Sequence, residues 1–409
     1  MWWKDRGKRL RTRRPISEKT IIFTESVVLS LLCLSFFLFR TEPGQAAMAH
    51  AGKAASALGL EKMLPQKQEN ATPPEAKSYI KWVDFTVTCE AMNQAFRYDV
   101  DTCQADVHLN WVDLLAYLGA RYGGDFSRYK AADMTQVAEK LKSGETTMEA
   151  LTKDMKYYKY YREAYGAVLD GMVGQFEAQI PASEAPGAYL PSGVTGGAPG
   201  DPETIWVTKY GLKAFSPIAK GFPYSDFDDF GVARSYGFRR QHLGHDLMGQ
   251  VGTPVIAVES GYVEAMGWNQ YGGWRLGIRS FDKKRYYYYA HLRKDYPYQS
   301  NLKEGSYVQA GDVIGYLGRT GYSRTENTNN IDEPHLHFGL QLIFDESQKE
   351  GNNEIWVSCY ELVKFLSMNR SQAVKVEGTK EWTRVYGTKD PQVPDTPPAE
   401  PPKAPESNP

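Results

Sequence analysis

The sequence contains little cysteine and no excess of charge of either sign. Its four cysteines, Cys33, Cys89, Cys103 and Cys359, form no Cys-x-x-Cys pair, which argues against a zinc site built from thiolates. The formal net charge is -1 over 409 residues. Such a balance argues against a nucleic-acid-binding protein, and we expect no nucleic acid among its partners. In an oxidising compartment, Cys89 and Cys103 are candidates for a disulfide.

One long apolar segment lies near the N-terminus, at residues 21–39. As a helix it would reach roughly 28 Å, close to the thickness of the hydrocarbon core of a bilayer. Eight of the first 20 residues are Lys or Arg, which predicts a cytoplasmic N-terminus and export of the remaining chain. We therefore expect a single-pass protein of the cell membrane, with the lipid bilayer as a partner. A signal peptide cleaved near Ala47-Met48-Ala49 is the alternative, and it would make the protein secreted.

Composition and periodicity divide the chain into seven segments. We predict a basic cytoplasmic segment at 1–20, a transmembrane anchor or signal peptide at 21–39, a linker at 40–77, a helical domain at 78–178, a Pro/Gly linker at 179–203, a β domain at 204–370 and a disordered tail at 371–409. The last 20 residues include eight Pro, which is typical of an extended tail. The predicted fold class is α+β and multidomain: an N-terminal transmembrane helix, a small all-α domain, and then a mainly antiparallel β domain.

The helical prediction depends on apolar periodicity and on caps. Residues 110–122 predict a helix that ends at Gly123-Gly124, and Thr146 and Glu149 have the spacing of a capping box. Apolar and aromatic side chains recur at steps of three and four over 148–172, mainly as expected for core packing. The position of this domain between the membrane and the β domain also suggests regulation or the docking of a protein partner.

After residue 203 the pattern changes to short apolar segments separated by Gly-containing turns, which is typical of antiparallel sheets. The predicted strands cover 254–258, 261–267, 274–280, 286–292, 313–317 and 335–342, and a helix is predicted over 354–367. Five of the seven histidines lie in this domain: His242, His245, His291, His335 and His337. Their clustering in one domain indicates a shared site.

Two of these histidines form a His-x-His pattern. On a strand, His335 and His337 project from one face, while Leu336 and Phe338 point to the other. Two neighbouring imidazoles can share a metal ion, or they can divide metal binding and proton transfer between them.

A second pattern covers residues 242–246. If these residues form a strand, His242 and Asp246 share one face and His245 points away, which favours a structural role for His245. Gly244 lies between the first two residues and would leave space for an ion.

The third pattern is the alternation of Tyr287, Tyr289 and His291 along one strand face. Two imidazoles and one carboxylate, with water in the fourth position, form a standard catalytic zinc site. Further imidazoles are then needed to move protons and to stabilise an oxyanion. The three patterns together predict such a zinc centre in the β domain.

These patterns resemble those of the lysostaphin/LytM-type zinc peptidoglycan endopeptidases. They appear here as QHLGHDLMG, YYAHL and PHLHFG, with GTPVIAVESGYVEAMGW and VQAGDVIGYLGRTG between them. The resemblance covers residues 210–344, about a third of the chain. It implies that His242, Asp246 and His337 bind one Zn²⁺ and that His291 and His335 are catalytic. It also implies a twisted antiparallel sheet with a groove, and cleavage of peptidoglycan stem peptides or cross-bridges.

One segment departs from the family pattern. Residues 322–333 intervene before the His-x-His strand and include Glu326, Asp332 and Glu333, so we expect a loop that overhangs the groove. Two other functions were weighed. A catalytically silent wall-binding scaffold or activator is disfavoured because all five site residues are present. A lipoyl- or biotinyl-carrier domain is disfavoured because the turn between its two halves would lack the carrier lysine.

Overall fold

Five of the six described α-helices precede the first strand along the chain, as the periodicity predicts. The computed structural model describes residues 79–184, 204–235, 239–351 and 353–394. Within these ranges the α-helices are α1 (Cys89–Thr102), α2 (Trp111–Tyr122), α3 (Ala131–Lys142), α4 (Met148–Thr152), α5 (Tyr158–Leu169) and α6 (Tyr360–Leu366). A small helical region followed by a mainly antiparallel β region confirms that part of the predicted fold class.

The ends of two helices show how local sequence sets them. Helix α2 begins at Asn110, whose side chain accepts hydrogen bonds from two backbone N–H groups of the first turn, and it ends at Gly123, where φ is 66°. The predicted helix at 110–122 is therefore confirmed. Helix α4 is capped by Thr147, which accepts from the N–H of Ala150, so the predicted capping box starting at Thr146 is wrong by one residue.

The strands follow in a series of mostly antiparallel ladders. In chain order they are β1 (Val173–Pro181), β2 (Thr204–Leu212), β3 (Ala233–Ser235), β4 (Arg239–Gln241), β5 (His245–Met248), β6 (Pro254–Ile256), β7 (Gly261–Asn269), β8 (Gly273–Ser280), β9 (Arg285–Ala290), β10 (Tyr307–Val308), β11 (Val313–Tyr316), β12 (His335–Leu342), β13 (Ile355–Val357), β14 (Ala373–Lys375), β15 (Trp382–Arg384) and β16 (Thr388–Lys389). The largest sheet has the order β10-β7-β8-β9-β12-β13, and β5 pairs with the first half of β12.

Strand β12 positions most of the site. Its first half pairs with β5, so that His337 lies opposite Asp246, and its other edge pairs with β9, so that His337 lies opposite Ala290. Leu336 and Phe338 are fully buried on the core face. The predicted alternation along this strand is confirmed, and it leaves the two histidines on the open face of the sheet.

Helices and sheet share one hydrophobic core. Trp111 of α2 stacks on Phe365 of α6 with ring centroids 5.6 Å apart, and both belong to the buried cluster that also contains Phe338 of the sheet. The described residues from 79 onward accordingly belong to one compact unit. The structure thus differs from the prediction of a separate helical domain at 78–178 and a β domain at 204–370, because the two segments bury their apolar surfaces against each other.

The predicted boundaries around the β domain also need correction. Strand β1 extends across the predicted start of the Pro/Gly linker at residue 179 and pairs with β2 along its whole length. Strands β14, β15 and β16 lie inside the segment predicted as a disordered tail from residue 371, and β16 completes the sheet formed by β1 and β2. The helix predicted over 354–367 is strand β13 followed by α6. The proline content of the predicted linker and tail did not reveal that strands lie in these segments, or which strands pair.

Two predictions for the N-terminal half have different outcomes. Among the described residues, no helix is both long and apolar enough to cross a bilayer, and the predicted span at 21–39 lies outside them. Cys89 and Cys103 are both free. They lie at opposite ends of the 14-residue helix α1, roughly 20 Å apart at the rise of an α-helix, so they cannot form a disulfide.

Candidate metal centre

A groove runs over the open face of the large sheet. Its cavity volume is about 620 Å³, and β9 and β12 provide its floor through alternate residues such as Tyr286, Tyr288 and His337. His242 and His291 line the same groove, at the end where β12 begins. Three of the five predicted site residues, His242, His291 and His337, therefore border a cavity open to solvent and large enough to hold a segment of polymer.

Three side-chain atoms converge at this end of the groove. Nε2 of His242 lies 3.0 Å from Oδ1 of Asp246 and 2.9 Å from Nδ1 of His337, and Nδ1 of His337 lies 2.9 Å from Oδ1 of Asp246. His242 and Asp246 are buried, and His337 is partly exposed toward the groove. The structure thus brings together the three residues that the resemblance assigns to the metal.

Hydrogen bonds alone do not account for this triangle. An imidazole nitrogen presents either one hydrogen or one lone pair in the ring plane, and a carboxylate oxygen only accepts. No placement of protons makes all three contacts favourable, because at least one contact always joins two donors or two acceptors. A cation at the centre would satisfy all three lone pairs. Two imidazoles and one carboxylate are a donor set that Zn²⁺ accepts, and donors in a tetrahedral zinc site lie roughly 3.3 Å apart.

The approach of His242 to Asp246 does not arise as the alternation predicted. Strand β5 begins only at His245, and residues 242–244 precede it and lie outside any strand. A Cβ atom on Gly244 would lie 2.5 Å from Cε1 and Nε2 of His337. The glycine is therefore needed for the close packing of the His337 ring. His245 points away from the site and contacts Oδ2 of Asp226 at 2.9 Å.

A layer of polar residues supports the three ligands. Nδ1 of His242 lies 3.1 Å from Oδ2 of Asp229, which fixes the hydrogen on Nδ1 and leaves Nε2 with a lone pair. Arg234 contacts Asp229 and also lies 2.8 Å from Oδ2 of Asp246 through Nη1. Sequence reasoning missed both Asp229 and Arg234. The acidic stretch at 226–229 was the available signal, but it does not identify which carboxylate faces a histidine.

The surroundings of Asp246 favour its ionised form. Burial by itself would raise the pKa of this carboxyl, but the contacts with His242 and His337 hold the pKa well below its usual range. For His337, burial is also the largest effect and lowers the pKa, although Asp246 opposes it. An anionic carboxylate beside a neutral imidazole is the protonation state that a metal ligand set requires.

His291 and His335 lie beside the triangle. Their rings are 4.8 Å apart, and the ring of His291 lies 5.8 Å from that of His337. Nδ1 of His291 lies 2.9 Å from the carbonyl of Thr320, and Nδ1 of His335 lies 2.8 Å from that of Glu333. Because a carbonyl only accepts, each Nδ1 carries the hydrogen and each Nε2 keeps a lone pair. Both imidazoles can thus accept a proton at Nε2.

The position of His291 depends on an unusual backbone conformation. Strand β9 ends at Ala290, and His291 has a φ of 61°, in the left-handed region that few residues other than glycine adopt. The predicted alternation with Tyr287 and Tyr289 is wrong, because both tyrosines are fully buried in the core. Burial lowers the pKa of His291 well below its ordinary value, and the neighbouring His335 and His337 add to this effect, so the ring is neutral at pH 7.

The segment at 322–333 contributes one side chain to the groove, Tyr322. Glu326, Asp332 and Glu333 are exposed and are not among the residues that line the groove. The loop therefore reaches the groove through Tyr322, while its acidic side chains lie at the solvated surface. Tyr322 instead lies 4.9 Å below the guanidinium of Arg240, a groove residue that sequence reasoning did not identify.

Comparison with known proteins gives a match in the same region. Residues 240–350 match the model of Peptidase family M23. An L-Ala--D-Glu endopeptidase of Bacillus subtilis (strain 168) is 40% identical over 124 residues, which are 30% of this chain and 36% of that protein. Lysostaphin of Staphylococcus staphylolyticus is 41% identical over 98 residues, 24% of this chain and 18% of that protein. The chain thus spans about a third or less of the length of these relatives.

A solved structure from Ruminococcus gnavus ATCC 29149, described as a candidate glycyl-glycine endopeptidase lytM, is also similar. It has 21% sequence identity and a TM-score of 0.46, and the match covers 73% of this chain and 95% of that one.

Proposed function

We propose, on the premise that residues 240–350 match the model of Peptidase family M23, that this protein is a zinc-dependent endopeptidase that hydrolyses peptide bonds in bacterial peptidoglycan. The observation that carries the proposal is the convergence of His242, Asp246 and His337 on one point beside two further imidazoles. Relatives of this chain are named L-Ala--D-Glu endopeptidase and peptidoglycan DD-endopeptidase. They differ in the bond that their names specify, so they support the reaction type and the polymer.

The metal would be held by Nε2 of His242, Oδ1 of Asp246 and Nδ1 of His337. When bound there, a zinc ion supplies Lewis acidity, which polarises a peptide carbonyl and makes water a stronger acid. The protein contributes a groove that holds the peptide and a set of ligands that burial and hydrogen bonds fix in place. His337 is partly exposed to the groove, which leaves room for substrate beside the ligands.

Proton transfer falls to His291 and His335. Each ring donates its Nδ1 hydrogen to a backbone carbonyl, which leaves Nε2 as the accepting nitrogen. An unprotonated Nε2 can accept the proton of the attacking water and then deliver it to the departing amine, and the protonated ring can stabilise negative charge on the carbonyl oxygen. The lowered pKa of His291 keeps that ring in its accepting form at neutral pH.

The test is hydrolysis of purified cell walls by the full chain. We expect one zinc per protein, release of new peptide termini detected by mass spectrometry, and loss of both zinc and lysis in Asp246→Ala and His337→Ala. His245→Gln is the matched control, because that residue adjoins Asp246 but faces away from the site, and it should retain zinc. Wall binding without any new termini would support the scaffold function instead. Stoichiometric zinc in His337→Ala would show that the ligand assignment is wrong.

We also propose that the protein acts outside the cytoplasm, attached to the cell membrane by the apolar segment at 21–39, and that the helical region contacts a protein partner. The basic N-terminal residues and the family's extracytoplasmic polymer support the first point. Fractionation of cells that express the full chain tests it: recovery with the membrane is expected, and recovery in the medium would indicate cleavage.

A further inference from the structure

One arginine in the groove, Arg240, forms no ion pair with any described carboxylate. Arg240 lies in the short strand β4 and lines the groove beside the metal centre. Its Nε is buried and has no hydrogen-bond partner. Within the described ranges, its guanidinium forms no ion pair, although Arg234 six residues earlier is bound to two carboxylates. A buried, unsatisfied cationic donor is costly unless a ligand pairs with it.

The guanidinium of Arg240 is held in one place. It lies over the ring of Tyr322, with the central carbon 4.9 Å from the ring centroid. This stacking is a cation–π contact, and it leaves the in-plane N–H groups free to form hydrogen bonds. A guanidinium stacked in this way presents a planar fork that matches the two oxygens of a carboxylate. The arrangement is preorganised for a planar anion.

Arg240 is also close to the reacting groups. Tyr322, on which it lies, is 5.7 Å from the ring of His291 between centroids. One residue of an extended peptide covers about 3.3–3.6 Å. An anion paired with Arg240 would therefore lie within about two or three residues of a peptide bond held at His291.

The rest of the groove carries its charges differently. Lys349 lies 2.9 Å from Glu264, and Glu354 accepts from the indole N–H of Trp356 at 2.6 Å. Arg275 lines the groove on β8 and, among the described residues, has no ion pair, but it has no aromatic ring beneath it of the kind that supports Arg240. The groove is thus cationic near the metal centre, and Arg240 differs from Arg234, which two carboxylates neutralise, and from Arg275, which no described aromatic ring supports.

We infer that Arg240 is a carboxylate-recognising, specificity-determining residue, and that the substrate is an acidic stem peptide with a free carboxylate within a few residues of the cleaved bond. This inference rests on the proposed function, since it concerns the same groove. A cross-bridge built from glycine carries no such group, so the preferred substrate is a stem peptide rather than a glycine bridge.

The experiment compares two synthetic stem peptides with the zinc-loaded full chain. Both contain a D-Glu residue, with its free α-carboxylate in one and the corresponding carboxamide in the other. Pentaglycine is the third probe. We expect kcat/KM to be about 10- to 100-fold higher for the carboxylate peptide, the size expected for a charge-assisted bidentate pair. In Arg240→Gln that ratio should fall to near one, and Arg240→Lys should restore only part of it, because lysine lacks the fork.

Arg275→Gln is the matched control, since it removes the same charge from the same groove. The ratio should persist in that variant. An equal loss of the ratio in Arg275→Gln would show a general effect of charge and overturn the assignment to Arg240. A ratio near one in the unmodified protein, or faster cleavage of pentaglycine, would refute the acidic substrate while leaving the endopeptidase intact. Failure to cleave any peptide or wall would instead refute the proposed function.

Discussion

Nε2 of His242 lies 2.9 Å from Nδ1 of His337, although 95 residues separate them in the chain. The two rings are 4.8 Å apart and tilted by 58°, so they direct lone pairs at a common point rather than stack. The Oδ1 atom of Asp246 completes the set at similar distances. The convergence of these three atoms depends on the residues around the ligands and on the fold that holds them.

Asp229→Asn should weaken zinc binding without removing a ligand. Oδ2 of Asp229 accepts from Nδ1 of His242, and an amide placed there no longer fixes the tautomer that leaves Nε2 free. The loss should be about 10- to 100-fold in zinc affinity, measured by competition with a chromophoric chelator. Asp226→Asn changes the same kind of contact at His245, which is no ligand, and should leave the affinity unchanged. Equal losses in both variants would contradict the assignment.

Gly244→Ala should displace the ligand His337, because the added methyl group would occupy space that the His337 ring fills. The added methyl group would lie 2.5 Å from two atoms of the His337 ring and 2.9 Å from the carbonyl oxygen of Phe338, a backbone atom that cannot move aside freely. We expect substoichiometric zinc and strongly reduced hydrolysis. Gly174→Ala serves as the control, because the nearest atom to its methyl group is a flexible carbon of Lys213 at 3.8 Å. A Gly244→Ala protein with full zinc would show that residues 242–244 can adjust.

His291→Ala should separate proton transfer from metal binding. The His291 ring lies beside His337 and is not one of the three ligands. Zinc content should therefore stay at one per chain, while kcat falls about 100- to 10,000-fold. Elemental analysis and steady-state kinetics on wall fragments measure the two quantities independently. Loss of zinc together with activity would mean that His291 is needed to assemble the ligands, and the role proposed for it would then be wrong.

Breaking the buried ion pair of Arg285 and Glu259 should destabilise the whole unit. Nε of Arg285 lies 2.7 Å from Oε2 of Glu259, and its Nη1 donates to the carbonyl of Ala167 in helix α5, so this pair joins the helical region to the sheet. Burial alone would lower the pKa of Arg285, but the charge of Glu259 raises it above its ordinary value. Glu259→Gln should cost about 3–5 kcal/mol in free energy of unfolding, measured by denaturant titration.

The exposed pair of Lys140 and Glu145 gives the comparison for that measurement. Its atoms are 2.8 Å apart, but both side chains are largely solvated. Glu145→Gln should therefore leave the free energy of unfolding nearly unchanged, because water screens an exposed ion pair. If both substitutions had equally small effects, the helical region and the sheet would be less firmly joined than their contacts indicate.

Local sequence patterns anticipated much of the fold. Helix α2 could be predicted because Asn110 and Gly123 cap it through bonds within a few residues, and β12 could be predicted because a buried strand alternates with a period of two. The ribbon of β1 and β2 could not be predicted from its residues alone. Its strands are separated by a Pro/Gly-rich segment, and their pairing depends on contacts that no local pattern records.

The candidate site divides in the same way. The sequence by itself determined which side chains were available: two imidazoles on one face of β12, and His242, Gly244 and Asp246 close together in the chain. Only the tertiary structure decided that His291 turns into the groove. Strict alternation would bury it with Tyr287 and Tyr289, but a φ of 61° and its hydrogen bond to Thr320 direct the ring outward.

The supporting residues were likewise decided by the tertiary structure. Arg234 bridges Asp229 and Asp246 because the chain folds back through the β3–β4 pair, and Arg240 lies over Tyr322 because two segments distant in the sequence meet at one edge of the groove. The physical reason is that periodicity and capping act over a few residues, whereas ligation, stacking and ion pairing act over a few ångströms between segments tens of residues apart.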